Sequence, residues 1–264
     1  MRRRQRRGSL AGLGPGLALA LALALAGLGV GGLTAWLFTN DLQRARSHAA
    51  QGSVLVQTRC GPIEYQEAGT GVPLLAVHGS GGGHDQGMAF AGGLAAQGIR
   101  VIAMSRFGYL RTPMPADASA TAQADAHVCL LDALGIARAA VMGGSAGAPS
   151  ALQMAIRHPD RVSALVMRVP LAFKPPTQTD SAPPMPPWVQ STVNQLISSD
   201  LLFWAALHVA RDDRYGTYAS AQYTASQITG AKFIGFDQGG HTWVGHNDEV
   251  MDAIRSLVLN AGRP

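Results

Sequence analysis

This sequence predicts an α/β protein with a mostly parallel central sheet, and three observations predict it. Short, almost wholly apolar runs recur at Pro73–Val77, Arg100–Met104, Ala139–Met142 and Val162–Met167, as in strands buried on both faces. Helix-length segments alternate with them at Asp85–Gln97, Thr121–Leu134 and Ala146–Arg157, the arrangement of βαβ units. Glycine-rich turns follow two of the strands, His78-Gly79-Ser80-Gly81-Gly82-Gly83 and Gly143-Gly144-Ser145-Ala146-Gly147.

Ahead of these lies a segment of different character. Arg2, Arg3, Arg4, Arg6 and Arg7 open the chain, and Leu10–Asn40 carries no charge. About 20 apolar residues suffice to cross a bilayer. Apolar residues continue past any small-residue cleavage site to the interfacial Trp36. Residues 1–40 therefore read as a basic region and an uncleaved transmembrane anchor, with a cleaved signal peptide as the alternative. The basic end stays cytoplasmic, which places the rest outside the cytoplasm, on the membrane or released from it. Residues 41–52 read as a polar linker and 53–264 as the folded body.

The net charge of +5 is accounted for by those five arginines, so the body is neutral. Nothing in it calls for a nucleic-acid partner. Lysine occurs only at Lys174 and Lys232, a bias that points to a GC-rich bacterial genome. Cys60 and Cys129 show neither metal-ligand nor redox spacing and read as two buried free thiols, a disulfide being the alternative.

Within the body, Ser53–Thr58 alternates and is β-branched, so it predicts a strand; Gly61-Pro62 turns the chain into a second, antiparallel strand at Ile63–Glu67. The parallel strands follow as above. The run after Met104 is Ser105-Arg106-Phe107-Gly108-Tyr109, and Gly135 closes the helix Thr121–Leu134. A later strand is expected at Phe233–Phe236, and a last helix after His246.

Gly143-x-Ser145-x-Gly147 has the spacing of a strand–turn–helix elbow. Small residues two positions either side let strand and helix approach, and the turn exposes the serine hydroxyl. The following helix aims free N–H groups at the place where an oxyanion forms. Taken alone, the pattern is also met in ordinary glycine-rich turns.

The order strand–HGSGGG, strand–SRFGY, strand–GGSAG, helix–RHPDRV resembles the α/β-hydrolase superfamily, in particular its small esterase and haloperoxidase-like branch. The resemblance covers about residues 53–168 and 211–260. It implies an α/β-hydrolase fold with helices on both faces of the sheet. It also implies a Ser-Asp-His triad in that chain order. Ser145 is then the nucleophile, His241 the base and Asp213 the acid, with His246 and Asp212 as the respective alternatives. The oxyanion donors are the backbone N–H groups of Ser80 and Ala146. His78 takes a structural role in the glycine loop, while His127 and His158 read as surface residues on helices.

A serine at the elbow, where carbon–halogen-cleaving relatives carry Asp, points to acyl transfer. The expected substrate is a small-molecule carboxylic ester, or a lactone or thioester, with no metal and no organic cofactor. The glycine loop lacks G-x-x-x-x-G-K and does not fit G-x-G-x-x-G, so no nucleotide is expected.

The resemblance is weakest at the lid, about residues 169–206. A proline-rich loop from Pro170 to Pro187 leads to an amphipathic segment, Trp188–Ile197, and the apolar run Leu201–Ala210 then continues straight into Arg211. The lid is truncated, and only Leu207–Ala210 remains to form the strand that delivers Asp213. A catalytically weak or inactive extracytoplasmic binding protein on the same fold is the alternative reading.

Overall fold

The structure is a computed structural model. It describes residues 15–170, 186–201, 217–228, 230–236 and 245–262, which fall into two compact units, residues 1–47 and 48–264.

Helix α1 spans Pro15–Ala49. Alternating Leu and Ala favour the helix, and its leucines, Leu19 to Leu33, are exposed. Its stretch Leu19–Ala49 is long and apolar enough to cross a membrane, its most apolar 18 residues having a mean hydropathy of 1.9. Thr34 and Thr39 donate their hydroxyls to Val30 O and Ala35 O, so neither is left unbonded. The helix continues to Ala49, through most of the polar stretch expected to be linker.

Among the described residues, the second unit is built on one six-stranded sheet, ordered β1-β2-β4-β3-β5-β6. The strands are β1 (Val54–Thr58), β2 (Gly61–Ala68), β3 (Val72–Val77), β4 (Ile99–Met104), β5 (Ala139–Gly144) and β6 (Val162–Arg168). β1 and β2 pair antiparallel, as do β2 and β4; β3, β4, β5 and β6 are mutually parallel. Helix α2 (His84–Ala91), extended by a 3-10 turn to Gln97, links β3 to β4. Helix α3 (Ala120–Ala133) precedes β5, and α4 (Ala148–Arg157) follows it. Beyond β6 come α5 (Pro187–Ser198), α6 (Thr217–Ser226) and α7 (Asn247–Ala261).

Alternation along the strands divides the core in two. Leu75, Val77, Ile102, Met104 and Val141 pack with α3 and α4. Leu74, Ala76, Val101, Ala103 and Met142 pack with α2 and α7 on the opposite face. β3 is consequently wholly apolar, and buried from Leu74 onward, as its sequence predicts. β6 is only half-buried. Residues 231–236, expected to hold a strand, form none; Phe236 instead stacks on His246, at 4.0 Å between ring centroids.

Two side-chain expectations are corrected. Cys60 and Cys129 are bonded as a disulfide that joins the β1–β2 turn to α3. Nothing in their 69-residue separation announces it, because strand pairing rather than local sequence brings the turn over the helix. His127 is fully buried, not on the surface. Most of helix α3 is enclosed, so Gln123 and His127 go inside with its apolar residues. The imidazole is accommodated by Ser150 Oγ at 3.0 Å from Nε2. His158 is half-buried and bonds Asp125 at 2.7 Å.

Candidate active site

Strand order reverses at β3. The chain steps from β3 to β4 on one side, and later places β5 on the other. In open α/β sheets such a reversal opens a crevice outside the carboxyl ends of the strands. The register brings Val77 level with both Met104 and Gly143, so the residues after β3, β4 and β5 emerge side by side. Those residues are the glycine loop, Ser105-Arg106 and the elbow.

Ser145 is the first residue past β5, half-buried, and has φ +46°. A left-handed conformation costs a non-glycine residue about 1–3 kcal/mol and persists only where its surroundings impose it. The surroundings at the two flanking glycines are backbone and small side chains. A Cβ on Gly143 would meet Ala148 Cα at 2.9 Å and Ala151 Cβ at 2.7 Å. A Cβ on Gly147 would overlap the carbonyl oxygens of His78 and Val77. The two glycines thus set how closely β5 approaches α4 and how closely the elbow approaches the glycine loop.

The loop is fixed from within. Gly79 N–H donates to Gln86 Oε1 at 2.8 Å, and Gly83 N–H to Asp85 Oδ1 at 2.8 Å. His78 is fully buried; its Nδ1 lies 2.7 Å from Gly79 O, and its Nε2 accepts the backbone N–H of Arg106 at 2.9 Å. Because that backbone group can only donate, Nδ1 carries the imidazole proton and donates it to Gly79 O. Burial and then the nearby Arg106 charge push the His78 pKa down to about 3, so the ring is neutral. His78 is a structural member of the loop. Ser80 lies exposed at the loop's edge, and its carbonyl accepts from Tyr109 OH at 3.4 Å.

The third strand end carries Arg106, a residue whose sequence context announces no role. Arg106 donates from Nη1 to Ala146 O at 2.8 Å and from Nη2 to Gly79 O at 3.1 Å. Its guanidinium lies 5.0 Å from the Tyr109 ring centroid. The loop it opens is bound to the sheet by Glu64, which is 1% exposed. Glu64 accepts from Arg111 Nε at 2.7 Å, Arg111 N–H at 3.0 Å, Ser53 Oγ at 2.8 Å and Ser105 Oγ at 3.0 Å. Burial by itself would raise that carboxyl's pKa; the Arg111, Ser53 and Ser105 donors outweigh it and hold Glu64 below its ordinary range. Neither residue stands out locally in sequence: Glu64 sits in an alternating strand, and Arg111 is 47 positions away.

Asp213, its alternative Asp212, and His241 lie outside the described residues, as does most of the apolar run Leu201–Ala210. His246 stands at the start of α7, stacked on Phe236. A cleft of about 340 Å³ lies beside the elbow helix, between Ala148, Pro149, Leu152, Met167, Tyr223 and Ile228. Another, of about 380 Å³, faces the disulfide and contains no residue of the elbow or glycine loop. Among the described residues no group of three or more His, Cys, Asp or Glu side chains is placed to hold a metal ion.

A family model described as alpha/beta hydrolase fold matches residues 72–213, more than half of the chain. The chain belongs to the alpha/beta hydrolase fold family. Over 104 residues it is 40% identical to a 2-hydroxymuconate semialdehyde hydrolase of Pseudomonas putida, covering 38% of this chain and 37% of that one. Over 113 residues it is 33% identical to a 2-hydroxy-6-oxo-6-phenylhexa-2,4-dienoate hydrolase of Comamonas testosteroni, covering 41% of this chain and 40% of that one. The matched stretches thus span only about two fifths of these curated relatives. An alpha/beta hydrolase fold protein from Nakamurella multipartita superimposes with a TM-score of 0.61 at 25% identity, over 80% of this chain and all of that one.

Proposed function

We propose that this protein is a membrane-anchored serine hydrolase that cleaves small carboxylic esters, lactones or thioesters. One observation carries the reading: Ser145, half-exposed at φ +46°, stands between a strand end and a helix start, against a glycine loop. A strained strand-to-helix turn of this kind presents the serine hydroxyl. In this reading Ser145 Oγ attacks the carbonyl carbon as His241, oriented by Asp213, takes its proton. Ser80 N–H and Ala146 N–H receive the developing oxyanion. The tetrahedral adduct collapses to an acyl-Ser145, and the alcohol leaves with the proton from His241. Water, deprotonated by His241, then releases the acid.

The family assignment supports a hydrolase, and the two curated relatives bear hydrolase names. The test is to treat the full-length chain, in detergent, with a fluorophosphonate probe and with p-nitrophenyl esters. Wild type is expected to be labelled and to turn over ester, and Ser145→Ala to do neither. A folded wild type inert to both sinks the reading and favours the binding-protein alternative. His241→Ala and Asp213→Asn test the remaining triad, each with an expected loss of kcat of about 10⁴-fold.

The same proposal places the body outside the cytoplasm. Its supports are the apolar span of α1, the arginines before it and the Cys60–Cys129 disulfide, since disulfides persist in oxidising compartments. Alkaline phosphatase fused at the carboxyl terminus should be active in intact cells. An inactive fusion beside an equally abundant control would reverse the orientation.

A further inference from the structure

The triad chemistry makes no use of Arg106, although its guanidinium bridges the two loops that flank Ser145. Gly79 O belongs to the Gly79–Ser80 peptide, whose N–H is the Ser80 donor. In a trans peptide the carbonyl and the N–H point in opposite directions. Holding Gly79 O from behind therefore aims Ser80 N–H forward. Two donors hold it: His78 Nδ1–H at 2.7 Å and Arg106 Nη2 at 3.1 Å. A cationic donor on the oxygen also polarises the amide and strengthens its N–H as a donor. The other fork of the guanidinium grips Ala146 O at 2.8 Å, in the residue that offers the second donor. The two donors come from loops after different strands, β3 and β5, and one planar cation spans both. Arg106 Nε has no partner among the described residues, so the group is committed to this bridge at the expense of its own hydration.

We propose that Arg106 is a positioning residue for the oxyanion hole: it fixes the separation of Ser80 N–H and Ala146 N–H and polarises the first. The proposal rests on the serine-hydrolase reading. Arg106 does not touch the substrate. A lysine would not replace it, because a point charge cannot span two carbonyls in one plane.

The test compares full-length wild type, Arg106→Met and Arg106→Lys in detergent. Active sites are counted by fluorophosphonate titration to its end point, and kcat is expressed per titrated site. Arg106→Met is expected to lose about 100-fold in kcat with KM within about threefold, because the loss falls on the transition state. A trifluoromethyl ketone, which forms a tetrahedral adduct on the serine, should lose affinity in step with kcat/KM. Arg106→Lys should recover part of the loss, to about tenfold below wild type. A merely structural role lowers the number of active sites and leaves kcat per site unchanged; that outcome overturns the proposal. Should Arg106→Met fail to fold, Arg106→Lys decides: kcat per site equal to wild type overturns it, and a loss confined to kcat upholds it. If wild type itself neither labels nor turns over ester, the hydrolase reading is what falls. Amide hydrogen exchange then reads the bridge directly. Faster exchange at residues 78–83 and 145–147, with the sheet unchanged, shows that Arg106 holds the two loops even though no oxyanion hole is in use; exchange like wild type overturns the bridge as well.

Discussion

The elbow of residues 143–147 and the loop of residues 105–112 meet at Arg106, and they are held in opposite ways. The elbow is shaped by side chains that are missing: Gly143 and Gly147 lie where any Cβ would run into backbone. The loop is shaped by side chains that are bonded: Glu64 gathers four donors, and Gln123 Oε1 accepts Phe107 N–H at 2.8 Å. The first arrangement is rigid because nothing can give. The second is rigid because a buried carboxylate cannot be left without donors. Substitutions should separate the two, one failing by overlap and the other by loss of charge pairing.

The largest effect is expected at Gly147. A methyl there overlaps the carbonyl oxygens of His78 and Val77, which are backbone and cannot rotate away. Gly147→Ala should cost more than about 4 kcal/mol, at the severe end for single changes, and abolish probe labelling. Urea unfolding measures the cost, and a Tm close to wild type would show that the elbow can shift after all. On the other side of the comparison, Glu64→Gln removes the charge and keeps the shape. About 3 kcal/mol should be lost, the lower end for a broken buried pair, because Arg111 is itself half exposed. Near-neutral unfolding curves would show that the loop does not depend on that carboxylate.

Acid should reach the two buried histidines behind these regions. His78 and His127 are pushed down to about 3 by burial, against about 6.5 on unfolding. Between those values the unfolded chain binds more protons, so stability is full above about pH 6.5 and is lost as pH falls toward 3. Each imidazole should contribute about 1.4 kcal/mol per pH unit across that window. Above about pH 5, where the carboxylates stay ionised, His127→Gln should remove one imidazole's share of the slope, up to about 1.4 kcal/mol per pH unit; an unchanged slope would mean that His127 is protonated in the fold.

The smallest effects test the edge of the elbow. A Cβ on Gly79 would meet Ser145 Cβ at 3.1 Å and Gln86 Oε1 at 3.3 Å, tight contacts but not overlaps with backbone. Gly79→Ala should cost about 1 kcal/mol while slowing probe labelling, a dissociation of stability from reactivity. Gly93, with nothing within 4 Å of its Cβ position, serves as the control and should change stability by less than about 0.5 kcal/mol as Ala.

Legibility in the sequence divides along the same line. The buried strands, the helices between them and the elbow rest on spacings of a few residues, and each was visible as pattern. What failed to show was contact between distant positions. Arg106 and Ala146 are 40 residues apart, Glu64 and Arg111 are 47, and Cys60 and Cys129 are 69. An imidazole inside a helix suggests solvent, whereas the stretch of α3 that carries His127 is buried against the sheet and α4. Phe233–Phe236 has strand-like composition but forms no ladder in the structure.

By itself, then, the sequence determined the α/β architecture, the apolar helix ahead of it and the sharp turn at Ser145, because periodicity, hydrophobic run length and glycine placement act over one or two turns of chain. Tertiary structure alone decided what holds that turn in place. Strand order puts the ends of β3, β4 and β5 side by side, and only then do an arginine, a neutral histidine and two carbonyls from three separate segments come within hydrogen-bond distance. The physical reason is the range of the forces: local steric rules are written in neighbouring residues, whereas a hydrogen bond between loops exists only once the sheet has brought those loops together.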